Sequence, residues 1–187
     1  MTNREKFRPG SAIASGWILI AFFVGFIIQT LFFGGDLLLT IGICGAGAFG
    51  SYLLFLKPYV LLFDEGIKII NPTKEITATW DLVEEIETKY SMSILVDGQT
   101  FYAWAAPAPS GRHSRRMHKT DLLPGTDAPR RVGDSLKSDS GVCAHIAKLR
   151  RKDFASAGTG ELEISTNYIL SYAAAGCAVI GAATLFI

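Results

Sequence analysis

The sequence predicts an α+β membrane protein with three transmembrane helices and a small antiparallel β-domain that ends in a helix. Three observations support this. Long uncharged segments occur three times in the 187 residues. Between the second and the third, apolar residues recur at every second position, as in β-strands. A helical period of 3.6 residues returns once, shortly before the third segment.

The uncharged segments are residues 12–33, 37–56 and 168–187, which have lengths of 22, 20 and 20 residues. A helix needs about 20 apolar residues to cross about 30 Å of hydrocarbon. Core helices in so small a chain keep a polar face, which these segments lack. The first segment is also longer than the apolar region of a cleaved signal peptide. We therefore predict a retained helical hairpin over residues 12–56 and a third span at 168–187.

The basic residues predict the orientation of these spans. All 18 Lys and Arg residues either precede the first span or lie between the second and the third. A hairpin returns the chain to its starting side, and basic loops stay in the cytoplasm. We therefore expect a multi-pass protein of the cell membrane. Its N-terminal tail (1–11), β-domain (57–154) and linker (155–167) are cytoplasmic, and its C-terminus lies outside.

The β-domain is predicted to contain about six short strands between Tyr59 and Trp104. Turn residues separate them, and Asp97-Gly98 is the strongest two-residue hairpin signal. Apolar residues at helical spacing then predict a helix over Ser138–Phe154. Between strands and helix, at about 110–138, we expect a polar, flexible insert because large apolar residues are few there.

Several short motifs in this segment carry a resemblance to a known family. They are Asp64-Glu65-Gly66, Asn71-Pro72, Thr79-Trp80, Asp97-Gly98 and Ala103-Trp104-Ala-Ala-Pro-Ala-Pro. The segment resembles the small PH-like domains of actinobacterial membrane proteins related to low-molecular-weight protein antigen 6. The resemblance covers roughly residues 57–152. It implies a PH-like barrel of seven strands with a C-terminal helix, and it implies no catalytic residues.

Small residues in the spans are predicted to pack helices together. Residues 45–50 match the G-x-G-x-x-G fingerprint of dinucleotide-binding proteins, but that motif requires a strand before it and a helix opening after it. In a membrane span, small residues instead let helix backbones approach closely. The candidate helix-packing residues are Ala46, Gly50, Ala174, Ala178, Ala182, Cys177 and Gly181.

A basic strip after the last strand is the candidate lipid or partner contact. Residues 57–104 have a net charge of −4 (4 basic, 8 acidic), whereas residues 105–152 have +7 (11 basic, 4 acidic). Cations beside the inner leaflet gain about 1 kcal/mol each from anionic headgroups. In the alternative interpretation, Trp104 packs inside the domain and the rest is a linker. The contact residues are Trp104, Arg112, Arg115, Arg116 and Lys119.

Enzymatic chemistry finds little support in the sequence. His113 and His118 lie in the polar insert without an orienting acid, which nucleophilic catalysis requires. The acidic residues of 81–87 favour a solvated edge, and no metal-ligand spacing occurs. We therefore expect no catalytic residue, cofactor or metal, and no disulfide in a reducing compartment.

The function predicted is a non-enzymatic, membrane-tethered module for protein or lipid interaction. The expected partners are the bilayer itself, anionic lipid headgroups, and a membrane protein or a second copy. Nucleic acid is not expected, because the basic strip lacks interleaved aromatic residues. The alternative is an accessory subunit or small transporter whose spans carry the activity. Against it, the spans contain no charged residue, and intramembrane charges usually mark transport pathways.

Overall fold

The computed structural model describes residues 2–108, 138–157 and 159–183. It has the α+β architecture that the sequence predicts, with antiparallel strands and apolar helices. The chain divides into two compact units, which are described separately. One contains residues 10–58 and 166–187, and the other contains residues 1–9 and 59–165.

The first unit consists of apolar helices. A tight connection separates the first two helices: Gly34 and Gly35 both have positive φ, which glycine adopts without a steric penalty. The carboxylate of Asp36 then caps the next helix by accepting a hydrogen bond from the Leu39 amide at 2.9 Å. The helices are α1 (Gly10–Phe33), α2 (Leu37–Ser51), which continues as a π-helical turn (Tyr52–Leu56), and α4 (Ile169–Ala183).

Two of these helices are long and apolar enough to cross a membrane. They are Gly10–Phe33, with 24 residues, and Leu37–Leu56, with 20. Their bounds agree closely with the predicted hairpin at 12–56. The third predicted span is described over the 15 residues of α4, and residues 184–187 lie outside the described residues. Membrane crossing by this helix stays a prediction.

The second unit contains two antiparallel sheets and the helix α3 (Asp139–Phe154). The five strands of the first sheet are, in spatial order, β1 (Glu5–Phe7), β2 (Tyr59–Phe63), β3 (Gly66–Ile70), β4 (Lys74–Thr79) and β8 (Leu162–Thr166). The three strands of the second are, in spatial order, β5 (Val83–Glu87), β6 (Ser91–Val96) and β7 (Gln99–Pro107).

Two strands come from segments that the sequence analysis treats as a tail and a linker. β1 pairs with β2, with Lys6 opposite Leu61, and Phe7 packs against the core. β8 lies beside β4 and joins the other edge of the same sheet. Both strands are short, and neither shows the alternation of buried and exposed side chains that marks a strand over a core. A two-residue period therefore does not reveal them, and the structure corrects the sequence analysis here.

The closed seven-stranded barrel implied by the resemblance is not formed by the described residues. The eight strands stay in two sheets, and the chain passes from the first to the second through a turn at Trp80 and Leu82. In the second sheet β7 bulges away from β6 after Tyr102: Ser93 lies opposite Tyr102, but Ser91 lies opposite Pro107. The bulge takes residues 103–106 out of the ladder, and β7 rejoins β6 at Pro107.

The core lies between the sheets and under α3. Its largest buried side chain is Trp80, whose indole Nε1–H donates to the Phe63 carbonyl at 3.0 Å. Cys143, Ala144 and Ala147 form the buried face of α3. These small side chains let the helix lie close to the sheets, and α3 confirms the helix that the sequence predicts over Ser138–Phe154.

A single arginine of α3 connects the N-terminal strand to the β2–β3 turn. The Arg150 guanidinium lies 3.0 Å from the Asp64 carboxylate and 3.2 Å from the Glu5 carboxylate. It also donates to the Asn3 carbonyl at 2.8 Å. The Arg150 side chain is only 13% exposed, so these contacts lie in a partly desolvated setting. Three acceptors on two segments thus converge on one cation.

We expect Arg150→Ala to release β1 from the rest of the domain. Loss of the charge-assisted hydrogen bonds should lower the local free energy of opening by about 1–3 kcal/mol. Hydrogen exchange of the β1 amides in the full chain measures this. Lys152→Ala, at an exposed position of the same helix, is the control and should leave β1 exchange unchanged. Equal exchange in the wild type and Arg150→Ala would contradict the role given to this contact.

Candidate functional site

The outer face of the three-stranded sheet presents two exposed aromatic side chains. Along β7, Ala103 points into the core and is fully buried, so its neighbours point outward. Tyr102 is 51% exposed and Trp104 is 56% exposed. The alternative interpretation in which Trp104 packs inside the domain is therefore wrong. We call Tyr102 and Trp104 the aromatic pair.

The side chain of Asn71 fixes the backbone of the aromatic pair. Its Nδ2 donates to the Tyr102 carbonyl at 2.8 Å, and its Oδ1 accepts from the Trp104 amide at 2.9 Å. The Asn71 side-chain amide thus pairs with the backbone of β7, as a residue of a neighbouring strand would, where the bulge begins. Asn71 itself is held in the β3–β4 turn, where its backbone amide donates to the Lys74 carbonyl at 2.8 Å. One side chain therefore connects the two sheets.

Acidic residues share the outer face with the aromatic pair. Ile86 of β5 is buried, so Glu85 and Glu87 point to the opposite, outer side. The strand register places each of these acids in a row with one residue of β6 and one residue of β7. The two rows are Glu85–Leu95–Thr100 and Glu87–Ser93–Tyr102. The face is thus acidic along β5 and aromatic along β7.

The basic part of the predicted contact lies elsewhere in the chain. Arg112, Arg115, Arg116 and Lys119 lie outside the described residues, and so does the predicted insert at about 110–138 except for Ser138. Their contact with lipid headgroups stays a prediction. Of the predicted contact residues, Trp104 alone is placed by the described part of the chain.

In the helical unit, two of the predicted packing residues lie at a close helix–helix contact. The backbones of Gly42 in α2 and Gly181 in α4 touch, because a Cβ added to Gly42 would collide with the Gly181 Cα and N. A Cβ on Gly181 would lie 3.1 Å from the Ile43 nitrogen. Cys177 packs beside Gly45, where an added Cβ would lie 3.4 Å from its Sγ. Small residues permit this approach.

The other predicted packing residues differ in burial. Ala46 and Ala174 are half-buried, whereas Ala178 and Ala182 are exposed. Gly50 has open space where a Cβ would stand. The sequence analysis missed Gly42, although a signal was present: Gly42, Ala46 and Gly50 repeat at intervals of four residues, which places them on one side of a helix.

Among the described residues of the β-domain, three ionisable groups have shifted pKa values with structural causes. The Thr2 amide and hydroxyl donate to the Glu65 carboxylate at 2.8–2.9 Å and lower the pKa of Glu65 to about 2. Burial, with help from Glu5 and Asp139, raises the pKa of the Cys143 thiol to about 12, so it stays protonated. Burial also raises the pKa of Asp139.

These groups have structural roles. Glu65 anchors the N-terminus, and Cys143 packs with its Sγ 3.5 Å from the Met92 sulfur. Within residues 2–108, 138–157 and 159–183, no three His, Cys, Asp or Glu side chains come together as metal ligands. The face with the aromatic pair offers exposed aromatic and acidic side chains on one surface.

Comparison of the chain with protein-family models, curated proteins and solved structures finds no match. The geometry of the described residues is thus the basis for a functional proposal. Two features stand out in it: the aromatic pair beside an acidic edge, and the apolar helices α1 and α2.

We expect Asn71→Ala to loosen the aromatic pair. The Trp104 amide and the Tyr102 carbonyl both lose their partner, at a cost of about 1–3 kcal/mol. Amide exchange of Trp104 and the midpoint of thermal unfolding report the loss. Asn71→Asp keeps the acceptor but not the donor, so it should also destabilise. Gln99→Ala, exposed on the same strand, is the control. Unchanged exchange at Trp104 in Asn71→Ala would contradict the assignment.

Gly42→Ala and Gly50→Ala form a matched test of the helix contact. The added methyl at Gly42 meets the Gly181 backbone, and overpacking of this kind costs about 1–3 kcal/mol. The methyl at Gly50 meets nothing, so this variant should be as stable as the wild type or slightly more stable. Thermal denaturation of the full chain in detergent compares them. Equal midpoints for the two variants would argue against the Gly42–Gly181 contact.

Proposed function

We propose that the chain is a non-enzymatic integral membrane protein that presents its β-domain as a binding module for a protein partner. Support for the membrane part comes from α1 and from α2 with its π-helical turn, which are long enough to cross a bilayer and carry no charged side chain. Support for the binding part comes from one observation. Tyr102 and Trp104 are exposed although their backbone is fixed by Asn71.

A fixed aromatic pair is well suited to binding. Trp and Tyr bury a large apolar area and still offer a polar group to a partner. They are enriched among the few residues that dominate binding energy at protein interfaces. Because Asn71 already holds the backbone at Tyr102 and Trp104, little backbone entropy is lost when a partner docks there.

The acids on the same face indicate the chemistry of the partner. Glu85 and Glu87 would face an anionic membrane with like charge, which disfavours lipid headgroups at this surface. A protein segment with Lys or Arg is instead attracted to the acidic strand. Such a cation also gains energy over the face of a Trp or Tyr ring. We therefore infer a protein partner with a basic segment.

The orientation and the family resemblance are parts of the same proposal. All 18 basic residues lie before α1 or between α2 and α4, which supports a cytoplasmic N-terminus and β-domain, a third crossing by α4 and an outer C-terminus. Two antiparallel sheets with α3 over their core support a PH-like relationship. In this proposal the domain is an open variant of the PH-like barrel.

We expect photo-crosslinking to find the partner at the aromatic pair. Full chain with p-benzoyl-phenylalanine in place of Trp104 or Tyr102 should form one discrete protein adduct in its native membrane. The same group at Gln99, exposed at the end of the strand, is the control and should form far less. Adducts of equal yield at all three positions, or adducts with lipid alone, would contradict the proposal.

Affinity for the identified partner gives the second readout. Truncation of a dominant interface aromatic costs about 2 kcal/mol or more, so Trp104→Ala should weaken binding about 30-fold. Thr100→Ala, on the same face, should have little effect. In a Trp17→Phe background, brominated lipids should quench the emission no more than in a Trp17→Phe, Trp104→Phe double variant, whose emission comes from the buried Trp80 alone. Strong quenching of Trp104 would indicate that this face contacts the bilayer and not a protein partner.

A further inference from the structure

The strand β8 forms one edge of the five-stranded sheet. Its five residues are all exposed, and β4 is its one neighbour in the sheet among the residues that the structure describes. Two of its side chains are large and apolar: Leu162 is 37% exposed and Ile164 is 46% exposed. An edge of this kind presents a row of backbone N–H and C=O groups that another strand can pair with.

Hydrogen bonds to β4 show which backbone groups point outward. The Thr79 amide donates to the Glu161 carbonyl at 3.1 Å, so the backbone of Glu161 faces β4. Along a strand the direction of these groups alternates from residue to residue. The backbones of Glu163 and Ser165 therefore face β4. The backbone N–H and C=O groups that point away from the sheet are those of Leu162, Ile164 and Thr166.

The two edges of this sheet differ in how they are protected. Natural edge strands are kept from pairing by shortness, charged side chains, proline or bulges. β1, at the opposite edge, has three residues, Glu5-Lys6-Phe7, and lies between Arg4 and Arg8. β8 has five residues, Leu-Glu-Ile-Ser-Thr, with one charge and no proline. β8 thus lacks the protection that β1 has.

The sequence of β8 is complementary to itself in one antiparallel register. With the two-fold axis at Ile164, this outward-facing residue pairs with its own copy, Glu163 faces Ser165, and Leu162 faces Thr166. All five residues are then paired and no like charges meet. An axis at Leu162 would place Glu161 opposite Glu163, and an axis at Glu163 would place two copies of Glu163 opposite each other.

We propose that β8 is a self-association edge, through which two copies of this chain pair antiparallel about Ile164 and join their five-stranded sheets. The interface would be isologous, as in most closed dimers. One strand pair buries less area than a standard stable interface, so association is reversible and depends on the protein-to-lipid ratio. The proposal is independent of the aromatic pair, which belongs to the other sheet.

Disulfide crosslinking of the full chain in lipid vesicles tests the register. In a background with Cys44, Cys143 and Cys177 changed to Ala, Ile164→Cys places two thiols at the axis, where Cα atoms are about 5.5 Å apart. Leu162→Cys lies on the same face of the strand, but its copy is about 14 Å away along the strand. Disulfides need Cα atoms within about 7 Å, so we expect Ile164→Cys to crosslink at least about tenfold faster.

A mixed experiment adds a second geometric constraint. Glu163→Cys and Ser165→Cys copies face each other in the proposed register. Their mixture should therefore crosslink mainly as the heterodimer, and each variant alone only slowly. Equal rates for Ile164→Cys and Leu162→Cys, or equal homodimer and heterodimer yields, would overturn the proposal.

Sedimentation of the chain with its native cysteines measures the oligomeric state without the three Cys→Ala changes. Ile164→Pro removes an outward N–H but leaves the hydrogen bonds to β4, and edge positions tolerate proline. It should abolish a dimer that the wild type forms in detergent. Leu162→Ala, which keeps its N–H, should retain most of it. A wild-type monomer at all concentrations, or a dimer unaffected by Ile164→Pro, would refute self-association through β8.

Discussion

The β-domain depends on the hydrogen bonds that the Asn71 side chain makes to β7. The two sheets are not joined into a barrel by strand pairing among the described residues, and β7 leaves β6 at a bulge after Tyr102. A bulge frees backbone groups that must find other partners. An asparagine amide supplies one donor and one acceptor in the geometry of a peptide group, and Asn71 uses both. The same bonds that connect the two sheets therefore also hold the exposed aromatic pair in place.

The N-terminal segment is held by electrostatics more than by packing. β1 is mostly exposed, and Phe7 is its one side chain against the core. Its position depends on Arg150, which reaches Glu5 and Asp64, and on Glu65, which accepts three hydrogen bonds from Thr2. Because the pKa of Glu65 is about 2, that carboxylate remains charged far below neutral pH. The contribution of Glu65 is present above pH 4.5 and is lost as the pH falls towards 2.

Sequence patterns predicted the strands and helices whose side chains are buried at regular intervals. The six strands between Tyr59 and Pro107, α3 over the core, and the hairpin of α1 and α2 follow from apolar spacing or from uncharged length. β1 and β8 could not be predicted in this way, because their side chains are mainly exposed and they form through pairing with distant strands. The role of Asn71 depends on a bulge that begins after Tyr102, 31 residues later in the chain, which local patterns do not contain. The Gly42–Gly181 contact requires two helices to meet, so spacing within one helix indicates only candidates.

Tethering to a bilayer changes what a small interface can achieve. A module held at the membrane meets its partners at a high effective concentration, so two aromatic side chains or a single strand pair can suffice for specific association. The aromatic pair and β8 belong to different sheets of the β-domain, so one surface can be occupied while the other stays accessible. Self-association through β8 would also bring two aromatic pairs into one assembly. A partner with repeated basic segments would then bind more tightly than either face alone allows, without any new contact.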